Sequence, residues 1–131
     1  MVTIISGSRR ITDFDIIQRA VDASGFTPTK IIEGGQRTRD EDTGHFVGGV
    51  DWLAYTWASK HGIPCQTVRA KWRQYGKAAG PLRNREMTRL ATHLIAIPDD
   101  DSKGTLSMIA EANQFGLEVY VHEELLRLVV M

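Results

Sequence analysis

Five short apolar runs, at residues 2–5, 30–33, 63–68, 93–97 and 117–121, alternate along the chain with longer stretches of helical periodicity. Strand-length runs separated by helix-length ones need crossover connections rather than tight hairpins. Such crossovers are right-handed and lay the strands parallel, in a sheet whose two faces are both covered. A chain of 131 residues is enough for one domain of this kind but not for two. The pattern predicts an α/β fold: a single Rossmann-like domain over residues 1–131, with a mainly parallel sheet of about five strands and helices on both faces.

The helices between the runs have recognisable ends. Thr12 or Asp13 can cap the first, in which Phe14, Ile17, Ala20 and Val21 recur until Gly25 stops it. A second follows Gly48-Gly49-Val50-Asp51 and carries Trp52, Leu53, Tyr55, Trp57 and Ala58 to His61-Gly62, the aromatics fitting a core stripe. A third opens at Pro81 and runs through Leu90 and Ala91; a fourth opens at Ser102-Lys103-Gly104-Thr105 and carries Leu106, Ile109, Ala110 and Ala112 to Gly116. Residues 123–130 read as a terminal helix or an added strand, and the polar residues 36–44 as a mobile surface loop.

Charge and cysteine usage narrow the partners. Sixteen cations balance sixteen acids, which argues against a general nucleic-acid or membrane-surface binder, so any anion site must be local. The single cysteine, Cys65, lies in an apolar run as a small hydrophobe and excludes a disulfide framework. No export signal or membrane span is evident, and a cytoplasmic location is expected. The histidines His45, His61, His93 and His122 lack zinc spacing, and Asp99-Asp100-Asp101 reads as a solvated capping turn, so no metal or cofactor is expected. The apolar tail at residues 125–131 could support a homodimer or higher homo-oligomer, or cover the sheet edge.

In parallel sheets of this type ligands bind beyond the carboxyl ends of the strands, where strand order reverses, and the reversal commonly sets the first strand beside the fourth. The Gly7-Ser8-Arg9 turn and the turn at residues 98–105 should then be neighbours, facing a crevice shared with Gly34-Gly35 and Arg83. Gly7-Ser8-Arg9 is either an ordinary βα turn or a phosphate or ribose cradle, with Ser8 donating and Arg9 clamping. Ser102, Gly104 and Thr105 repeat that chemistry at a second helix start. Residues 72–87 join Arg73, Lys77, Arg83 and Arg85 to two aromatics and two glycines, a composition suited to an anion but also found on plain surface. Trp72 and Tyr75 either stack on a base or cover a hydrophobic patch. Asp51 caps its helix, contacts a ligand hydroxyl, or does both.

In order along nearly the whole chain, Gly7-Ser8-Arg9, Gly49-Val50-Asp51 with Leu53-Ala54 and Trp57-Ala58, Trp72 with Gly76-Lys77-Ala78-Ala79-Gly80-Pro81, Arg83-Asn84 with Met87, and Ser102 with Gly104-Thr105 resemble the small stand-alone YspA-like proteins of the SLOG superfamily. That Rossmann-like group includes the LOG cytokinin-activating phosphoribohydrolases and the DNA-uptake protein DprA. The resemblance implies a pocket for a nucleotide or nucleotide-derived ligand, such as an ADP-ribose-like molecule. Arg83, Asn84 and Met87 match the arginine, polar residue and methionine of the LOG enzymes. Where those enzymes have a double glycine ahead of Gly-Thr, Ser102-Lys103 stand here, and Met108 occupies the place of their catalytic glutamate. Glu111, about one turn further on, and Glu86, beside the arginine, are then the candidate replacement acids. The link from Gly-Gly to Gly-Val-Asp is lengthened here by residues 36–47.

Three functions follow in order of preference. The first is binding of a phosphorylated nucleotide derivative. Its phosphates would rest on Gly7, Ser8 and Arg9 and on Ser102, Gly104 and Thr105, with Arg83 and Lys77 as counterions. Asp51 would meet a ribose hydroxyl, and Gly34, Gly35, Gly49, Trp72 and Asn84 would complete the lining. The second is hydrolysis of the N-glycosidic bond of a nucleoside monophosphate, Arg83 anchoring the phosphate and Glu111 or Glu86 supplying the carboxylate. The third, association with DNA in the manner of DprA, is disfavoured by the zero net charge.

Overall fold

Val2–Gly7 (β1) runs through the middle of a five-stranded sheet, with Lys30–Glu33 (β2) on one side and His93–Ile97 (β6) on the other. This is a computed structural model, and it describes residues 1–99 and 103–123. Ser102, Asp100, Asp101 and the apolar tail at residues 125–131 lie outside the described residues, as does all but the first residue of the expected terminal helix. Strand order is β5-β2-β1-β6-β7, where β5 is Cys65–Thr67 and β7 is Glu118–Val121, and every pairing is parallel. The order reverses between β1 and β6, so the first strand does lie beside the fourth strand of this sheet in chain order. Ser6 opposes Ala96 and Gly7 opposes Ile97 at the carboxyl ends.

Adjacent residues of each central strand feed opposite layers of the core, as the period-two geometry of a strand requires. Ile5, Ile31 and Ile95 pack against Ile16–Ser24 (α1) and Val50–Lys60 (α2), through Ile17, Ala20, Leu53, Ala54 and Trp57. Ile4, Ile32 and Leu94 pack against Ala79–Leu90 (α4) and Lys103–Gln114 (α5), through Met87, Met108 and Ala112. Burial on both faces explains why the strands read as unbroken apolar runs. Among the described residues no helix is long and apolar enough to cross a membrane.

Four local expectations are corrected. Helix α1 starts at Ile16, not at Thr12 or Asp13: the Asp13 carboxylate accepts the Asp15 N–H at 2.9 Å and pairs with Arg19, forming a turn that leaves Phe14 exposed, its ring edge-on to Trp52. Residues 36–44 are not all loop. Thr38–Arg39 (β3) pairs antiparallel with Phe46–Gly48 (β4), closed by a turn in which Asp40 Oδ1 accepts the amides of Asp42 and Thr43. Pro81 does not open α4; it is the third residue, still in the first turn, where its missing N–H loses no bond. Ahead of it the glycine-rich segment is wound into a short helix, Trp72–Tyr75 (α3), and a 3₁₀ turn, Gly76–Ala78. In α5 the buried stripe is Thr105, Met108 and Ala112, so Leu106 points outward at 62% exposure.

Candidate functional site

Beyond the carboxyl end of β1 the chain turns sharply against β6. A Cβ on Gly7 would stand 2.3 Å from the Ile97 carbonyl oxygen, so only glycine fits. The Ser8 amide donates to that same carbonyl at 3.0 Å, and the Ser8 carbonyl accepts the first amide of α2, from Val50, at 3.0 Å. Buried Ser8 also gives its hydroxyl proton to Asp99 Oδ2 at 2.5 Å and accepts the Arg10 N–H at 3.0 Å. Ser8 thus ties together β1, β6 and α2, and its hydroxyl is already engaged. Its place is that of a post which holds Arg9, Arg10 and Asp99 at the crevice.

The second wall follows β2. Glu33 is fully buried, and its carboxylate accepts the Gly35 N–H at 2.7 Å, two bonds from the Arg37 guanidinium at 2.9 and 3.2 Å, and the Thr67 hydroxyl. Burial alone would lower the Arg37 pKa; the Glu33 hydrogen bonds outweigh it and hold the guanidinium above its ordinary value. This pair fixes the Gly34-Gly35 turn. The Gly34 carbonyl then accepts Arg83 Nη1 at 2.8 Å, while Arg83 Nε donates to Asn84 Oδ1 at 2.9 Å. A Cβ on Gly34 would come within 2.6 Å of Arg83 Nη1 and 2.9 Å of Asp51 Oδ2, so the absent side chain is what keeps space between cation and acid.

Asp51 lies in the first turn of α2, yet its carboxylate reaches out of the helix to accept the Gln36 N–H at 3.1 Å rather than capping its own helix. Burial pushes its pKa up to about 6, the buried Glu33 nearby pushes the same way, and the Gln36 amide, Arg83 and Arg37 oppose the rise. The group is therefore poised to exchange a proton near neutrality.

These walls enclose one cleft of about 350 Å³, within the range of small-molecule sites. Of the residues singled out from sequence, it gathers Gly7, Ser8, Arg9, Gly34, Asp51, Trp72, Arg83, Asn84, Gly104 and Thr105. Among the described residues nothing lies within 4 Å of where a Cβ on Gly104 would be, and Gly104 lines the cleft in the first turn of α5. Trp72 forms the rim at 55% exposure. Among the described residues four cations (Arg9, Arg10, Arg83, Lys103) and two acids (Asp51, Asp99) line the cleft, within a chain of zero net charge.

Other expected site residues fall elsewhere. Lys77 is exposed on the 3₁₀ turn, and Gly35 and Gly49 stand behind the lining, Gly49 packed near Thr38 and Arg9. Neither candidate replacement acid lines the cleft. Glu111 is held between α5 and α4, 3.7 Å from Arg85, and Glu86 faces outward into a separate shallow groove. Met108, at the place of the LOG glutamate, is fully buried in the core. Sequence reasoning missed Asp99, Gln36, Arg10 and Lys103 as lining residues. Adjacency of the first and fourth strands already implied that Asp99 should meet Ser8; nothing local marked Gln36.

No family model matches the chain. Gene 61 protein of Mycobacterium phage D29 is similar to it, 29% identical over 121 residues that cover 88% of this chain and 91% of that protein.

Proposed function

We propose that the protein binds a nucleotide or nucleotide-derived phosphorylated ligand of the ADP-ribose-like kind in this cleft, as a sensor or sequestering protein. The observation that carries the reading is the convergence of the turn after β1, the start of α5 and Arg83 in one cleft. Backbone amides at the start of a helix favour anions, and Arg83 keeps Nη2 beyond the two nitrogens used internally, so a phosphate can be met by both. Asp51 offers an acceptor to a ribose hydroxyl, and Trp72 at the rim offers a face to a base.

Calorimetry against ADP-ribose, cyclic ADP-ribose isomers, AMP and cyclic dinucleotides tests it. At least one should bind, and Arg83→Ala should weaken that binding by about 10–100-fold, the scale of a lost charge-assisted contact. A folded protein silent across the panel contradicts the reading.

A second reading, hydrolysis of a nucleoside monophosphate, is favoured by one observation only: the buried Asp51 carboxyl, its pKa pushed up by burial to about 6, lies in the cleft where Glu86 and Glu111 do not. Base release from AMP that vanishes in Asp51→Asn, with binding retained, is its expected signature.

A further inference from the structure

Against the outer side of Arg83 lies a second groove of about 170 Å³, lined by Arg69, Lys71, Tyr75, Leu82 and Glu86. Arg83 lines both this groove and the main cleft, so the two spaces meet at this residue. The Gly34-Gly35 turn sets the cations at this divide. Arg83 Nη1 donates to the Gly34 carbonyl at 2.8 Å and Arg69 Nη1 to the Gly35 carbonyl at 3.3 Å. Carbonyls of successive residues thus each hold one guanidinium group, and both arginines line this groove. Among the described residues neither group is within ion-pair distance of a carboxylate. A pair of cations held by neutral carbonyls at a junction of two clefts is complementary to two linked phosphates.

The far groove has the features of a place for a nucleoside rather than for a free anion. Tyr75 is 45% exposed and Leu82 41% exposed, an aromatic and an aliphatic face with little covering them, and Glu86 supplies an acceptor for an amino or hydroxyl group. Trp72 provides the equivalent aromatic on the other side of the divide, one turn earlier in the same short helix α3.

We propose that the groove is a second subsite and that the preferred ligand is pyrophosphate-linked: one nucleoside in the main cleft, two phosphates over Arg83 and Arg69, and a second sugar or nucleoside against Tyr75. This rests on the assignment of the main cleft to a phosphorylated nucleotide and extends it to the class of ligand. Titration calorimetry with AMP and with diadenosine pyrophosphate tests it. The bridged compound should bind about tenfold tighter or more, the scale of one or two added charge-assisted contacts. Lys71→Ala and Tyr75→Ala should each erase much of that advantage while AMP affinity stays within about twofold; Arg69→Ala should do the same. Both substitutions in the exposed α3 region leave the Gly34-Gly35 turn untouched, so they remain informative even if Arg69→Ala disturbs it. Equal affinity for the two compounds, or an equal loss for both in Lys71→Ala and Tyr75→Ala, overturns the second subsite and leaves the main cleft standing. Binding of neither compound overturns the second subsite, and silence toward ADP-ribose and the cyclic nucleotides as well overturns the main-cleft reading with it.

Discussion

At the scale of single residues the site turns on Gly34 and Asp51. Because a Cβ on Gly34 would meet the movable end of Arg83 rather than backbone, Gly34→Ala should fold with only a small loss in thermal midpoint, yet displace the guanidinium and weaken ligand binding about tenfold or more. An unchanged affinity would show that Arg83 does not act from its Gly34-bound position. Asp51 carries a definite pH signature. Its folded pKa of about 6 lies above the ordinary 3.8, so the stability linked to its protonated form is fully present below about pH 4 and is lost as pH rises through 6. A shift of this size corresponds to about 3 kcal/mol. Asp51→Asn keeps an acceptor for the Gln36 amide and has no charge to bury. It should be more stable than the parent at pH 7.5 by an amount up to that figure, with the difference fading by pH 4. Denaturant melts at the two pH values measure this, and a loss of stability at pH 7.5 would mean that the ionised carboxylate is held favourably by Arg83.

At the scale of elements the turn after β2 is the part most dependent on its surroundings. Glu33→Ala strands a partly buried guanidinium, the Gly35 amide and the Thr67 hydroxyl together, and should cost about 2–4 kcal/mol in chemical denaturation, well beyond a surface substitution. A cost below about 1 kcal/mol would mean that water replaces the carboxylate freely. The strands and the order of β1 beside β6 were legible from sequence, because runs such as Ile4-Ile5, Ile31-Ile32 and Leu94-Ile95 are apolar on both faces only in a covered parallel sheet. The meeting of the Ser8, Gly34, Arg83 and Thr105 segments followed from that topology. The β3–β4 ribbon was not legible, since β3 is two polar residues and β4 only three residues, and its register depends on Asp40 folding a turn that no periodicity announces. Helical winding of residues 72–78 was hidden by the glycine within it, Gly76, which takes a positive φ of 55° where α3 passes into the 3₁₀ turn. The positions of Glu86 and Glu111 depended on the angular setting of α4 and α5, and a shift of one turn along a helix is enough to move a side chain out of a cleft.

For the whole molecule, equal numbers of acids and cations conceal an uneven distribution. Residues 69–89 contain Arg69, Lys71, Arg73, Lys77, Arg83, Arg85 and Arg89 against one acid, Glu86. Of these cations the fold brings Arg83 to the cleft, where Arg9, Arg10 and Lys103 join it from other segments, so the proposed attraction for a small anion is local rather than a general affinity for polyanions. The central claim is that loops far apart in sequence act as one binding surface, and an amide NMR titration with ADP-ribose tests it most directly. The account predicts that Gly7, Ser8, Gly34, Gln36, Gly104 and Thr105 shift together along one saturable curve. No shifts at millimolar ligand, or shifts confined to exposed cations such as Arg73 and Lys77, would contradict it.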